Sequence, residues 1–395
     1  MLSRRATFVV ASASLIWTFF ASGTPVPLYN TYRAENGLTS ADLVLTTVVY
    51  LASTAAALLV LGRLSDHLGR RPIAALALAS SLAGALVLMH VEAVGWLVAG
   101  RVLQGVACGM ASSALGSYVI DTAPRRPPWL AAVITSTAPQ LSIPVGALVA
   151  GSLVDLAPAP RVLVYAFVAT GLGLGILLVA LCPETVGRRS VRGGLAALRP
   201  QVAIPAGAGP AMLVAGGVAV ATWSLGGFFQ GYSPMIASER LGSDNALLVA
   251  VVLASLMLLA PLGGAAGGRW SPRTSVAVGM LVFAASTVVI VVGIVAGTAV
   301  LLVVAELVAA FGMGMAAAGG LRGAIPYART DERAGLLAAI YLVSYLGAAV
   351  PSLVSSRLVE HLSLVTIAVG HGTLAVAVSL ATVGLALRTP APARA

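Results

Sequence analysis

Twelve apolar stretches, each near the ~20 residues that a helix needs to cross a hydrocarbon core, divide the chain. They cover residues 7–29, 41–62, 73–93, 95–118, 130–155, 162–182, 208–232, 244–267, 274–296, 298–320, 335–355 and 364–387. Windows such as Leu76–Leu88 and Val288–Val295 are almost unbroken, whereas a barrel strand would alternate apolar and polar positions. The pattern predicts an all-α integral membrane protein with 12 transmembrane helices. The first stretch follows Arg4-Arg5 but is too long for a secretion signal, and a short polar break leads from it into another span, so it is expected to be retained. Asp42 and Asp244 stand at the starts of the second and eighth stretches and are expected to cap those helices.

Composition agrees with the pattern. Hydrophobic residues make up 59%, charged residues 9%, and mean hydropathy is +0.99, against about 45–50% apolar for soluble domains. The 23 basic residues are all arginine, which together with the Ala, Gly and Val bias suggests a GC-rich bacterial genome and hence the bacterial cytoplasmic (inner) membrane. The net charge of +10 is read as topology and not as nucleic-acid binding. With the N-terminus inside, 17 arginines fall on inner segments and 4 on outer loops (Arg33, Arg161, Arg240 and Arg357), while Arg101 and Arg322 belong to spans or span ends. By the positive-inside rule both termini are expected to be cytoplasmic. Cys108 and Cys182 have no metal-binding spacing and read as small packing residues. No metal or cofactor is expected.

The longest connection, rich in Arg, Gly and Pro, lies midway. It divides the chain into two six-helix bundles, residues 1–183 and 208–395, joined by a cytoplasmic linker at 184–207. Within the linker Val191, Leu195 and Leu198 share a helical face, which fits a short surface helix or a disordered segment. The halves read as repeats. An offset of about 205 places Arg101 over Glu306 and Gly109-Met110 over Gly314-Met315; neighbouring offsets place Pro144 over Pro351 and Gly62-Arg63 over Gly268-Arg269.

Between the second and third stretches lies Gly62-Arg63-Leu64-Ser65-Asp66-His67-Leu68-Gly69-Arg70-Arg71-Pro72. It is similar to motif A of the major facilitator superfamily, G-x-L-a-D-r-x-G-r-R. Arg101-x-x-Gln104-Gly105 resembles motif B, Ile143-Pro144 through Gly151 is a degenerate echo of motif C, and Pro183-Glu184-Thr185 is similar to the P-E-T closing the sixth helix in drug-exporter relatives. The second-half loop, Gly268 to Arg273, keeps the glycine and arginines without the acid. The resemblance implies two pseudo-symmetric six-helix bundles, like those of the drug/proton antiporter branch, working by alternating access. It also implies that Gly62, Asp66, Gly69, Arg70 and Arg71, with Asp121 at the end of the fourth helix, form a gating contact. The other reading is a basic loop that only fixes topology.

Two charges lie deep in spans. An arginine near a helix centre costs about 2.5–3.5 kcal/mol on insertion scales, so Arg101 must face protein or water. Its repeat mate Glu306 is the acid deepest in any span. They are read either as a proton-coupling pair, with Glu306 exchanging the proton, or as a static ion pair. Tyr29, Asn30, Gln104, Gln140, Trp223, Gln230, Tyr341 and Tyr345 are candidates for the substrate cavity, with Trp17 and Tyr118 as further positions; an isolated aromatic also suits a lipid interface. His371, partway along the last stretch, reads as a packed neutral histidine, the alternative being a titrating group. The first span carries no acid, whereas several proton-driven multidrug exporters use one there.

These readings predict a proton-coupled secondary transporter exporting small lipophilic compounds or drugs. Its expected partners are a small-molecule substrate, protons and the lipid bilayer, with no nucleic acid, in a monomer that is not an enzyme. The alternatives are an uptake porter for a sugar or other metabolite, and a non-transporting membrane receptor or scaffold.

Overall fold

The computed structural model describes residues 1–127, 129–187, 189–329 and 332–388. Arg188 and Arg394, counted among the inner arginines, lie outside them. Twelve helices are long and apolar enough to span a bilayer: α1 Arg4–Asn36, α2 Ser40–Leu61, α3 Arg70–Met89, α4 Val94–Thr122, α5 Leu130–Leu156, α6 Pro160–Ala180, α7 Gly209–Arg240, α8 Ala246–Gly267, α9 Pro272–Ala296, α10 Ala299–Tyr327, α11 Gly335–Leu358 and α12 Leu364–Arg388. No strand occurs among the described residues. Large apolar side chains such as Leu76, Leu177, Val292 and Leu380 remain about half exposed or more. On a water-soluble protein that would be a liability; on helices that keep their backbone hydrogen bonds internal, it suits lipid.

The chain groups into two compact units, residues 1–38 with 49–200, and residues 39–48 with 201–395. In the first, α1 packs on α4, α5 and α6, and α3 packs on α4 and α6. In the second, α7 packs on α10, α11 and α12, and α9 packs on α10 and α12. Each of these pairings in the first unit thus recurs in the second six helices later, the internal relation that the offset matches anticipated.

Local chemistry departs from the sequence expectation in three places. The α1 span breaks after Gly23, passes through a tight turn at Val26–Leu28 and resumes as Tyr29–Asn36; Pro25 and Pro27 supply no backbone donor there. Asp42 is not the N-cap of α2 but the closing, fourth residue of a capping box that Thr39 opens. Its carboxylate accepts from the Thr39 backbone and hydroxyl at 2.9 and 2.8 Å, and Thr39 Oγ1 accepts from Asp42 N at 3.2 Å. The cap of α8 is Asn245, accepting from Leu248 N at 2.8 Å, and not Asp244.

The linker contains a short helix, Val191–Ala197, with Ser190 as its cap. Its small residues Gly194 and Ala197 are buried, while Val191 and Leu195 are 71% and 65% exposed. Gly193 and Gly194 lie against His67 and Leu68 of the motif A loop, so the linker docks through its glycines and turns its apolar face outward.

Candidate functional site

The motif A loop is the most densely bonded polar region of the first unit. Leu64–Leu68 forms one short helix, and α3 starts at Arg70. Gly69 between them has φ +108° and ψ 148°, a region essentially restricted to glycine. A Cβ there would also stand 2.4 Å from Glu184 Oε2. That close approach lets Glu184 cap α3: Oε1 accepts from Arg70 N at 2.8 Å and Oε2 from Arg71 N at 3.2 Å. Oε1 also accepts from the backbones of Thr185 and Val186, and Arg189 pairs with Oε2 at 3.0 Å. A carboxylate on the orphan N–H groups of a helix start satisfies donors and complements the dipole.

Arg70 gathers the acids on the other side. Its Nη1 donates to Ser65 Oγ at 2.7 Å and pairs with Asp66, and its Nε pairs with Asp121 Oδ2 at 3.2 Å. Asp121 also accepts from Thr185 Oγ1 at 2.9 Å, and its carbonyl from Arg4 at 2.9 Å. Arg71 reaches the Cys182 carbonyl at 3.4 Å, and burial pushes the Cys182 thiol above its ordinary value. Gly62 follows the end of α2, where a Cβ would meet the Leu58 carbonyl at 2.2 Å. Asp66, Gly69, Arg70, Arg71 and Asp121 are therefore brought together, and Glu184 joins them. Sequence reasoning used Glu184 only as part of a family signature; the available signal was an acid in an arginine-rich segment next to a helix end. In the second unit the loop without an acid is held differently. Arg322 of α10 donates to the carbonyls of Gly267 at 2.6 Å and Trp270 at 3.1 Å, a cation at the C-terminus of α8.

Deep in the first unit, Arg101 is 0% exposed. One nitrogen, Nη1, donates to the Ser22 carbonyl and to Gln104 Oε1, both at 2.9 Å, and Gln104 Nε2 donates to the Ala21 carbonyl at 2.9 Å. Ser22 and Ala21 are open for this because α1 ends its first segment at Gly23. The guanidinium carbon lies 4.1 Å from the Tyr50 ring centroid, a cation–π contact worth about 2 kcal/mol when desolvated. Arg101 Nε and Nη2 are buried without hydrogen-bond partners. Tyr50 and Ser22 were missed by sequence reasoning, since both contacts cross between helices. Gly105 brings α2 in: a Cβ there would be 2.6 Å from the Tyr50 carbonyl.

In the second unit Glu306 is also 0% exposed, on α10. Neither carboxyl oxygen has a hydrogen-bond partner within bonding geometry; Ser255 of α8 is the polar side chain beside it. Trp223 of α7 and Tyr345 of α11 meet edge-on with centroids 4.9 Å apart. Gln230 is partly buried with Oε1 unpartnered, and Tyr341 is 45% exposed. In the first unit Tyr29 is fully buried, whereas Asn30 and Gln140 are partly exposed. Among the cavity candidates, the structure groups Gln104 with Arg101 and Trp223 with Tyr345. At the Asn36 end of α1, Arg161 pairs with Glu35 at 2.7 Å over Tyr32, whose hydroxyl meets Tyr165 at 2.8 Å, a clamp that sequence reasoning did not foresee.

The family model of the Major Facilitator Superfamily matches residues 8–260. The chain belongs to this superfamily. It is therefore a multi-pass membrane transporter of small molecules. It is 26% identical over 328 residues to the multidrug resistance protein MdtL of Klebsiella pneumoniae strain 342, covering 79% of this chain and 77% of that one. A second MdtL, from K. pneumoniae subsp. pneumoniae strain ATCC 700721 / MGH 78578, is 29% identical over 182 residues, 45% of each chain. Among solved structures, a D-xylose-proton symporter superimposes with a TM-score of 0.72 at 15% identity, covering 95% of this chain and 96% of that one. A POT family transporter bound to a thioalcohol-conjugated peptide gives 0.72 at 14% identity, covering 96% and 94%. At these identities the likeness is one of fold.

Proposed function

We propose that this superfamily member is a proton-coupled secondary transporter that exports small lipophilic organic compounds by alternating access, with both termini in the cytoplasm of a bacterial cell and six helices in each half. One observation carries the reading: Arg101 and Glu306 are the charged side chains fully buried among the described residues. A membrane interior this poor in charge suits an apolar cargo, and the similarity to MdtL over most of the chain supports export of drug-like molecules. The lone buried acid supplies the coupling. Leaving an unpaired charge in an apolar surrounding costs several kcal/mol, so Glu306 is suited to hold a proton while shut off from water and to release it when water arrives. Arg101, whose Nε and Nη2 make no hydrogen bond, offers an anion-stabilising position on the repeat-related helix.

The motif A cluster supplies the gate in this reading. A contact can hold one state of a two-state transporter only if it is made in that state and lost in the other. Asp66, half exposed beside Arg70, has oxygen capacity left for such a contact, while Asp121 and Glu184 keep the loop in shape. No catalytic group or cofactor enters the mechanism.

The test is reconstitution into liposomes carrying a lumenal pH dye, with an imposed pH gradient and a panel of lipophilic dyes and sugars. Proton movement opposite to the movement of a lipophilic dye supports the proposal. Proton movement in the same direction as a sugar would establish uptake instead, and no substrate-dependent flux with any compound would favour a receptor or scaffold.

A further inference from the structure

In the first unit the buried charge on α4 is met by a side chain of α2, the Tyr50 ring over Arg101. The offset of about 205 that places Arg101 over Glu306 also places Tyr50 over Ser255. The packing keeps that register. A Cβ on Gly109 of α4 would meet the Thr54 carbonyl of α2, and one on Gly314 of α10 would meet the Ala260 carbonyl of α8, positions equivalent to within one residue. Ser255 of α8 accordingly stands beside Glu306, and both are buried.

Neither oxygen of Glu306 makes a hydrogen bond, while Ser255 Oγ donates to the Val251 carbonyl one turn back, at 2.6 Å. A serine hydroxyl has one hydrogen, which can rotate, and two acceptor lone pairs. With its hydrogen on Val251 it can accept from a protonated Glu306. With that hydrogen turned to a carboxylate it donates, and a hydrogen bond to an ionised acceptor is roughly twice as strong as a neutral one. A backbone N–H, which only donates, would serve the ionised form alone.

The other ionisable groups nearby are engaged elsewhere. The helices packed on α10 are α7, α8 and α9. Among the described residues α8 carries no ionisable side chain. On α9, Arg273 lies in the first turn and donates to the Leu387 carbonyl. On α7, Glu239 and Arg240 lie at the helix end, with Arg240 on the Ile294 carbonyl, and Tyr232 stacks on Phe228 and meets the His371 ring. Arg322 and Tyr327 stand at the other end of α10. Ser255 is thus the polar side chain placed to respond when Glu306 changes its protonation.

We propose that Ser255 is a positioning residue for proton exchange at Glu306, its hydroxyl accepting from the protonated acid and donating to the carboxylate. When the proton leaves Glu306 for water, the Ser255 hydrogen turns from Val251 to the carboxylate; when a proton returns, the hydrogen turns back. This rests on the proposed role of Glu306 as proton carrier.

The test is the pH profile of lipophilic-dye accumulation in liposomes, recorded at a fixed pH difference, for the wild type and for Ser255 variants that elute as the wild type does. Ser255→Ala removes the donor and so disfavours the carboxylate; the midpoint of the profile should move up by about one pH unit, a ten-fold change in proton affinity. Ser255→Cys, nearly isosteric with a weaker donor, should move it the same way. Ser255→Thr, which restores the hydroxyl, should hold the wild-type midpoint. A wild-type midpoint in both Ser255→Ala and Ser255→Cys would overturn the assignment. So would a Ser255→Thr profile displaced as far as that of Ser255→Ala, because the effect would then be one of packing. Glu306→Gln, measured alongside, separates the two levels. Wild-type accumulation in that variant would remove the coupling reading itself, whereas its loss with unmoved Ser255→Ala and Ser255→Cys profiles would remove only the assignment to Ser255.

Discussion

At the scale of single residues, Glu184 and Gly69 form a unit in which each explains the other. The glycine adopts a backbone that other residues reach only at a cost of about 1–3 kcal/mol, and the space it leaves admits the carboxylate that caps α3. Gly69→Ala is expected to destabilise the protein by at least that amount, read as a lowered Tm in nanodiscs; an unchanged Tm would mean that the loop does not need this geometry. Glu184→Gln should loosen the same corner without adding bulk. Cys182 reports on it, because the thiolate is the reactive form and burial holds the thiol above its ordinary value. Its alkylation by a water-soluble maleimide should be slow at neutral pH and rise with pH. In Glu184→Gln it should be several-fold faster at the same pH, and equal rates would show that Glu184 does not hold the end of the sixth span.

At the scale of elements, the twelve spans were legible because length and unbroken apolarity are properties of contiguous residues. What escaped were features set by partners distant in sequence. Asp244 and Asn245 are both capable caps, and only the direction of the α8 start selects Asn245. The Arg161–Glu35 pair and the Arg101–Ser22 contact join residues 126 and 79 positions apart, so no local pattern encodes them. Glycine spacing also understated its role. Gly105 was noted as part of a motif, yet its use is to seat α4 against the Tyr50 carbonyl, the close approach that small residues permit between membrane helices. Gly105→Leu is therefore expected to separate α4 from α2 and to cost about 1–3 kcal/mol as an overpacked contact, measured as thermal stability. It should also weaken the Arg101–Tyr50 contact, whereas Gly95→Leu, where a Cβ would meet nothing, should be close to neutral.

At the scale of the whole molecule, the repeat relation puts the two buried charges at equivalent positions of the two units. The sequence offset paired Arg101 with Glu306, and the packing of α1, α3 and α4 in one unit recurs as α7, α9 and α10 in the other. The two residues nevertheless have different surroundings: Arg101 is held by carbonyls, an amide and an aromatic ring, whereas the oxygens of Glu306 are unbonded. On the proposed function, that asymmetry gives them separate tasks, Arg101 as a fixed cation and Glu306 as the proton carrier. Arg101→Lys, which keeps the charge but cannot reproduce the planar guanidinium contacts, should impair transport strongly in a vesicle assay. The most direct measurement compares wild type and Glu306→Gln in the same liposomes for two activities: accumulation of a lipophilic dye driven by a pH gradient, and dye-for-dye exchange without one. The account predicts that Glu306→Gln loses gradient-driven accumulation while retaining exchange. Gradient-driven accumulation at the wild-type level in Glu306→Gln would contradict it.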